Sequence, residues 1–206
     1  MAQVTLVERA DDADVARWLE DRLARALADR AGTPAICVPG GTTPFPILER
    51  LAGAPPDWPR VTIWPGDDRV VPESHPASNV GRMRALLAPT GARIVSLAEN
   101  AVPPHFSLVW LGMGPDGHVA SLFPNTDPRA DDARRVRRTT PDPLPPEAPF
   151  DRLTLTIPAL LDCDELAFVI RGEGKRALFA AALRGDNDLP VARLLRAACQ
   201  PVTCFA

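Results

Sequence analysis

The sequence has few features of metal sites, secreted proteins, membrane spans or nucleic-acid surfaces. Its four cysteines include no C-x2-C pair, which argues against a zinc site. The opening residues lack the basic and apolar regions of a secretory signal, and no run approaches 18 apolar residues. The formal net charge is -3, so no overall positive field attracts nucleic acid. We therefore expect a protein of a reducing cytoplasm, with free thiols, that binds neither nucleic acid nor membrane.

Several nucleotide and hydrolase motifs are also missing. No Gly-Lys-Ser/Thr follows the glycine pair at residues 40–41, so that loop is not a Walker P-loop. A Gly-x-Ser-x-Gly elbow is absent, which disfavours a serine-hydrolase triad. Residues 112–117 have the Gly-x-Gly-x-x-Gly spacing, but no clear helical pattern with a later acidic residue follows them. A dinucleotide site is therefore not expected.

The length and composition fit one globular unit. A chain of 206 residues, 46% of them hydrophobic, can bury roughly 70% of the surface that its unfolded form exposes. The 24 prolines and 13 glycines exceed the usual share, so the helices and strands should be short. We find no repeats and no linker that would demand two domains. A single domain over residues 1–206 is predicted.

Strand-like and helix-like segments alternate along the chain. Strands are predicted at residues 3–8, 33–38, 60–64, 92–98, 106–114, 152–157 and 165–172. Helices are predicted from Asp11 or Asp12 to a stop at Gly32, and over residues 44–51, 78–88 and 174–185. This alternation predicts an α/β fold with a mostly parallel sheet flanked by helices. The polar, proline-rich residues 124–149 are instead predicted to form an extended surface loop that could cover a ligand.

Four unusual loops follow directly after predicted strands. Their sequences are PGGTTP (39–44), PGDDR (65–69), GMGPDGH (112–118) and GEGK (172–175). In an open parallel sheet the carboxyl ends of the strands share one edge, and ligands bind in the crevice beyond it. We therefore expect these four loops to lie together.

The third loop carries His118, one of only three histidines. Gly112, Gly114 and Gly117 relax the backbone around it, which fits the close approach of a ligand. Asp116 can accept a hydrogen bond from the imidazole, which would fix its tautomer and suit a general base or acid. A histidine that merely caps a turn is the alternative. The three glycines after a buried strand favour the functional interpretation.

The other loops are individually ambiguous. Residues 40–43 lie between a strand and a helix start, where backbone N–H groups bind anions, although a tight turn with threonine caps is equally compatible. Lys175 begins a helix and suits a phosphate, yet it could be an ordinary surface lysine. Arg152 is ambiguous in the same way. Residues 67–69, Asp-Asp-Arg, could orient sugar hydroxyls, but alone they more often form a charged surface turn.

Taken together, the loops resemble those of the 6-phosphogluconolactonases, in the wider family that includes the glucosamine-6-phosphate deaminases. PGGTTP, GDDRVVPESHPASN, LGMGPDGHVASLFP and RLTLTIPALL followed by GEGK occur in the family's order, from about residue 33 to 180. The deaminases usually continue after the histidine with a Phe-Asn-Glu-Pro segment, whereas ASLFP here resembles the lactonase branch. Asp68 departs from the family's usual glutamate, and Pro-Gly-Gly-Thr departs from its usual Ser-Gly-Gly-Ser.

The resemblance implies a modified doubly wound, Rossmann-like fold and the hydrolysis of 6-phosphoglucono-1,5-lactone to 6-phosphogluconate, the second step of the oxidative pentose phosphate pathway. It implies no metal and no cofactor, and a monomer or weak homodimer. Carried over by motif, His118 would activate water as the general base. Asp67 and Asp68 would position water or sugar hydroxyls, and Arg69 would contact the substrate. The phosphate would be held by Gly40, Gly41, Thr42, Thr43, Arg152 and Lys175.

Two other functions stay open on the sequence. One is a deaminase or isomerase acting on an amino-sugar phosphate, against which the ASLFP segment speaks. The other is a non-catalytic sugar-phosphate-binding module, an alternative that the altered Asp68 keeps open.

Overall fold

A computed structural model of the chain describes residues 2–29, 33–54, 57–146 and 148–206. Its strands are β1 Val4–Val7, β2 Ala35–Val38, β3 Thr62–Pro65, β4 Asp67–Arg69, β5 Arg93–Ile94, β6 Leu108–Leu111, β7 Val136–Thr139, β8 Arg152–Leu155, β9 Leu166–Val169 and β10 Val202–Phe205. Its helices are α1 Asp12–Ala28, α2 Pro44–Ala52, α3 Asn79–Leu87, α4 Ile157–Leu160, α5 Glu173–Arg184 and α6 Pro190–Ala197.

Seven of the strands form one sheet in the order β1-β10-β9-β6-β2-β3-β5, and every neighbouring pair is parallel. The chain moves outward from β2 through β3 to β5, and then returns to place β6 on the other side of β2. Strand order therefore reverses between β2 and β6. In doubly wound sheets this reversal creates a crevice beyond the carboxyl ends of the strands.

The central strands contribute to two separate hydrophobic cores. Side chains alternate between the faces of a strand, so Ile36 of β2 packs with α1, α2 and α3, whereas Cys37 packs on the opposite face. Trp110 and Val109 of β6 divide between the two cores in the same way. The core that contains Cys37 and Val109 also contains residues of α4, α5 and α6. Helices thus cover both faces, as the predicted doubly wound fold requires.

Helix α1 illustrates how the local sequence sets these elements. The side chain of Asp11 accepts hydrogen bonds from the N–H groups of Ala13 and Asp14, both at 2.8 Å, and the Asp14 carboxylate accepts from the Asp11 N–H at 3.1 Å. This reciprocal capping box satisfies donors that an uncapped helix would leave without partners. Leu19 and Leu23, four residues apart, are both buried against the sheet.

A smaller antiparallel sheet, with the order β4-β8-β7, packs beside the large one. Its β7 lies within residues 124–149, so the prediction of an extended surface loop was wrong for residues 136–139. Most of the other described residues of that segment are exposed and lie outside helices and strands. Val136 and Thr139 of this strand are buried, while the two arginines between them are exposed. Because the two exposed arginines are charged, the segment has the sequence pattern of a solvated loop rather than of a strand. Among the described residues of 124–149, none lines the cleft described below.

The α/β class and the parallel sheet flanked by helices are confirmed, but several details differ. Residues 152–157 do contain a strand, although it belongs to the small antiparallel sheet. The sequence pattern missed β4, β10, α4 and α6. Helix α1 ends at Ala28, and the expected stop at Gly32 lies outside the described residues. All four cysteines are free, and three of them are buried. None of the helices in the described ranges has both the length and the apolar character that a membrane span needs.

Candidate active site

A cleft of about 340 Å³ opens at the carboxyl edge of the large sheet, where β6 lies between β9 and β2. Each of the four loops singled out in the sequence contributes to its lining, through Gly41, Asp67, His118 and Lys175 among others. The expectation that these loops lie together is confirmed. The reversal of strand order between β2 and β6 explains the position of the cleft.

The loop from β2 to α2 forms one wall. Gly41 has a φ of +95°, a conformation that favours glycine. A Cβ at Gly40 would lie 2.2 Å from side-chain atoms of Asn79, so only glycine fits that packing. Because Pro39 and Pro44 have no N–H, the backbone donors of this wall are those of residues 40–43. Backbone N–H groups and threonine hydroxyls in this arrangement suit an anion.

The opposite wall carries two cations at the end of β9 and the start of α5. Lys175 and Arg171 both line the cleft. Gly172 precedes α5 with a φ of +94° and provides no side-chain cap, so the positive end of the helix dipole faces this region uncapped. A guanidinium nitrogen of Arg171 lies 3.3 Å from a carboxylate oxygen of Asp12. This wall therefore adds positive charge opposite the glycine loop.

His118 also lines the cleft, on the loop that follows β6, and is held by that loop. Its Nδ1 is 2.6 Å from Oδ1 of Asp116, and the ring is 4.8 Å from that of Phe123. A Cβ at Gly114 would lie 2.1 Å from Cε1 of the imidazole, so the ring packs directly on the glycine backbone. Burial opposes ionisation of Asp116, but the hydrogen bond and charge of His118 together lower its pKa. The pair thus matches the predicted arrangement of carboxylate and imidazole.

With Nδ1 of His118 bonded to Asp116, Nε2 is the nitrogen left for a ligand. Within the described residues, no hydrogen-bond donor or acceptor of the protein engages Nε2. An imidazole whose Nδ1–H is fixed by a carboxylate presents a basic Nε2. The arrangement can accept a proton from a water or hydroxyl group placed in the cleft.

Asp67 is the half-buried carboxylate of the cleft wall. Burial raises its pKa, although a hydrogen bond from Ser121 and the positive charge of Arg69 oppose the rise. The oxygen–oxygen distance between Ser121 Oγ and Asp67 Oδ2 is 2.5 Å. The side-chain amide of Asn79 donates to the Asp67 carbonyl at 3.0 Å, which fixes the backbone at this point. Residue 67 is therefore held at its carboxylate by Ser121 and at its backbone by Asn79.

Asp68, by contrast, is buried and turned away from the cleft. Its Oδ1 accepts from the backbone N–H of Asn79 at 2.6 Å and from that of Arg69 at 2.8 Å. Its Oδ2 accepts from the hydroxyl of Ser78 at 3.0 Å and from the N–H of Val80 at 3.1 Å. Both oxygens are occupied by the first turn of α3. These contacts give Asp68 the position of a helix cap, and they offer no support for the expected contact with water or sugar hydroxyls.

Arg69 and Arg152 also lie outside the cleft lining. Arg69 donates to Oδ1 of Asn79 at 2.7 Å, the same amide whose nitrogen supports Asp67. Arg152 is buried, and its guanidinium donates to the carbonyls of Ala148 and Phe150. Direct contact of either arginine with a ligand in the cleft is therefore not supported by their observed contacts. Arg69 instead holds the side-chain amide of Asn79, which in turn donates to the backbone carbonyl of Asp67.

Two residues of the site were missed in the sequence. Arg171 lies directly before GEGK, so its position at a strand end was a usable signal. Ser121 gave no local signal, because its partner Asp67 is 54 positions away in the chain. Among the described side chains, no group of three or more histidines, cysteines and carboxylates could hold a metal ion.

Comparison with known proteins gives a consistent result. The family model described as glucosamine-6-phosphate isomerases/6-phosphogluconolactonase matches residues 9–101 and 88–203. A 6-phosphogluconolactonase of Mesorhizobium japonicum is 37% identical over an alignment of 206 residues that covers 90% of this chain and 86% of that protein. One of Pseudomonas aeruginosa is 36% identical over 200 residues, which cover 85% of this chain and 83% of that protein.

Solved structures agree with these relatives. The crystal structure of a 6-phosphogluconolactonase from Thermotoga maritima matches with a TM-score of 0.81 at 25% identity, over 100% of this chain and 99% of that chain. One from Shewanella baltica matches with a TM-score of 0.80 at 25% identity, over 100% of this chain and 98% of that chain. On the family match and these relatives, the chain belongs to the glucosamine-6-phosphate isomerase/6-phosphogluconolactonase family.

Proposed function

We propose that this protein hydrolyses 6-phospho-D-glucono-1,5-lactone to 6-phospho-D-gluconate, the second step of the oxidative pentose phosphate pathway. One observation carries the proposal: a single cleft holds a carboxylate-paired histidine together with a region of anion-binding groups. A phosphorylated lactone needs both, because its ester is the reacting group and its phosphate is the dominant charge. The names of the relatives and the ASLFP segment support the lactonase over the deaminase.

His118 is the general base of the proposed reaction. Nε2 takes a proton from water while the resulting hydroxide adds to C1 of the lactone. The tetrahedral intermediate then collapses, the bond from C1 to the ring oxygen breaks, and the imidazolium returns the proton to that oxygen. One water is consumed and a carboxylic acid forms, which ionises at neutral pH. Asp116 keeps Nδ1 protonated throughout and stabilises the transient positive charge.

The phosphate binds to the glycine loop after β2 and to the start of α5. Lys175 supplies a cation, and the loop of Gly40, Gly41, Thr42 and Thr43 supplies backbone and hydroxyl donors. Arg171 adds a second positive charge, which suits a phosphate that carries nearly two negative charges at neutral pH. Binding energy from this remote group holds the lactone carbonyl near His118.

Asp67 faces the reacting end and orients water or a sugar hydroxyl. Arg69, Asp68 and Arg152 take supporting parts in this proposal. Arg69 acts through the amide of Asn79, Asp68 caps α3, and Arg152 ties β8 to the segment before it. The lactone reaction needs no metal or cofactor, because its ester is already activated.

The test is acid release from freshly prepared 6-phosphogluconolactone, corrected for spontaneous hydrolysis. The purified protein should accelerate the phosphorylated lactone far more than unphosphorylated gluconolactone. Lys175→Met should raise KM for the phosphorylated substrate by about tenfold or more, the loss of one charge-assisted hydrogen bond. Arg176→Met is the matched control, because this exposed neighbouring cation lines a different cleft.

Other outcomes identify the alternatives. Release of ammonia from glucosamine 6-phosphate without lactone turnover would replace the proposal with a deaminase. Binding of 6-phosphogluconate without any turnover would replace it with a binding module.

A further inference from the structure

Ser121 lies beneath the cleft, and its hydroxyl contacts the carboxylate of the cleft wall. The residue is 1% exposed, and its Oγ donates to Oδ2 of Asp67 at 2.5 Å. A donor paired with an ionised carboxylate makes a short, strong bond of this kind. Within the described part of the chain, Oδ1 of Asp67 has no protein donor. One oxygen of the carboxylate is therefore committed to Ser121, and the other is free.

We propose that Ser121 is a positioning residue that holds Asp67 with Oδ1 directed into the cleft, where it accepts a hydrogen bond from the lactone or the attacking water. The inference rests on the proposed lactone hydrolysis. Ser121 does not touch the substrate itself. It acts by limiting the rotation of a carboxylate that would otherwise turn freely about its last bond.

Both partners are attached to the small antiparallel sheet. The N–H of Ser121 donates to the hydroxyl of Thr154 at 3.1 Å, and its carbonyl accepts from the hydroxyl of Thr139 at 3.0 Å. Thr154 is the cross-strand partner of Asp67 in the pairing of β4 with β8. The donor and the acceptor are thus fixed to neighbouring points of one rigid element. Such support is what a precise site requires.

The backbone next to Ser121 is bent into an unusual conformation. Ala120 has a φ of +49°, which L residues with a side chain rarely adopt. This conformation costs free energy, so the surrounding contacts must enforce it. Ala120 also lines the cleft. The bend directs the next side chain, that of Ser121, toward Asp67.

The charge environment makes this hydroxyl important for ionisation as well as orientation. Burial raises the pKa of Asp67, and the hydrogen bond from Ser121 is the strongest of the opposing effects. The titratable or charged groups whose fields reach Asp67 are Asp68, Arg69, His118, Arg152 and Cys37. Without the hydroxyl, a larger fraction of Asp67 is protonated at a given pH and cannot accept a hydrogen bond through both oxygens.

The experiment compares Ser121→Ala with Ser78→Ala. Ser78 is an equally buried serine, and its hydroxyl donates to Asp68, the residue that follows Asp67 in the chain. The Asp68 carboxylate is turned away from the cleft. Both variants lose one serine–aspartate bond, so both should lower the denaturation midpoint. Only Ser121→Ala should lower kcat/KM for the lactone, by about tenfold. Equal kcat/KM in the two variants would overturn the proposal.

A double-mutant cycle shows whether Ser121 acts through Asp67. In the Asp67→Asn background, Ser121→Ala should cause little further loss of kcat/KM, because its target is already altered. A tenfold loss that persists in that background would assign Ser121 a general structural role instead. Should Ser121→Ala fail to fold, Ser121→Cys keeps the shape with a weaker donor and takes its place in the cycle.

A measurement that does not need turnover separates this inference from the proposed function. Carbon NMR of the Asp67 carboxyl group follows its titration in the parent and in Ser121→Ala. The midpoint should rise in the variant, and an unchanged midpoint would overturn the inference. Absence of lactone turnover in the parent, with a raised midpoint in the variant, would reject the enzyme function while leaving the Ser121–Asp67 coupling in place.

Discussion

Two histidines lie beyond opposite ends of the same strand, β6, and their surroundings differ in one decisive way. His118, after the carboxyl end, has Nδ1 on Asp116 and leaves Nε2 toward the cleft. His105, before the amino end, has Nδ1 at 2.8 Å from Asp162 and Nε2 at 2.9 Å from Asp164. One ring has a single carboxylate partner and the other has two.

The number of partners decides what each ring can do. Two carboxylates satisfy both nitrogens only when both carry protons, so Asp164 and Asp162 raise the pKa of His105. A ring held in that state contributes to stability and has no nitrogen free for a substrate. A ring with one partner keeps its tautomer and can still exchange a proton at the other nitrogen. A histidine paired with an aspartate therefore indicates a catalytic role only when the other ring nitrogen remains free.

The largest effect should come from exchanging each histidine for glutamine. His118→Gln should lower kcat for the lactone by about 10²–10⁴-fold, the usual contribution of a general base. His105→Gln is the matched control and should leave kcat unchanged, because its ring lies at the other edge of the sheet. Coupled assays of both purified variants check this. Equal activity in the two would remove His118 from the proposed chemistry.

A smaller effect should follow from disturbing the ring of His118 without removing it. Gly114→Ala would place a methyl group 2.1 Å from the imidazole, which must then shift away from its position beside Asp116. A displacement of about 1 Å can cost on the order of 10²-fold in rate. Gly53→Ala is the control, because its added Cβ would meet nothing closer than 3.5 Å and Gly53 does not line the cleft. If both variants keep the parent's kcat, the close packing of ring and glycine has no role in catalysis.

The smallest effect concerns stability at the other end of β6. The folded-state pKa of His105 is raised, so its contribution is present below about pH 6.5 and is lost as pH rises through the folded-state value. The ring is 55% exposed and its partners are solvated, which limits the contribution to about 0.2–1 kcal/mol. Arg135, which also pairs with Asp162, competes for that carboxylate.

Urea unfolding of the parent and His105→Gln measures this contribution. The difference in unfolding free energy should be larger at about pH 6 than at about pH 9, and should shrink in about 0.5 M salt. A difference that is the same at both pH values would show that the ring does not titrate as its contacts indicate.

The sequence was sufficient for the features that depend on short segments. Strand ends followed by glycine-rich loops located the cleft, and the adjacent Asp116 identified the histidine pair. It was insufficient where the partner is distant in the chain. Asp67 and Asp68 are neighbours with the same chemistry, yet one faces the cleft and the other caps α3. Alternation along β4 separates them, and β4 itself became recognisable only through its pairing with β8.

The same limit explains the fold details. In the antiparallel sheet, β4 pairs with residues of β8 that lie more than 80 positions away in the chain. The exposed arginines of β7 give that strand the sequence pattern of a solvated loop. The pairs His105–Asp162 and His105–Asp164 likewise join residues separated by 57 and 59 positions. Such contacts arise from topology, which local patterns do not encode.

Helices α2 and α5 pack on opposite faces of the large sheet, in different hydrophobic cores, yet both begin at the cleft. A phosphate bound as proposed would touch the start of both and so fasten the two layers together. Ligand binding to the folded state alone stabilises it by about 2.7 kcal/mol at a hundredfold excess over Kd. The free energy of unfolding of this protein would then rise with the concentration of sugar phosphate around it. The protein without bound ligand would be the less stable form.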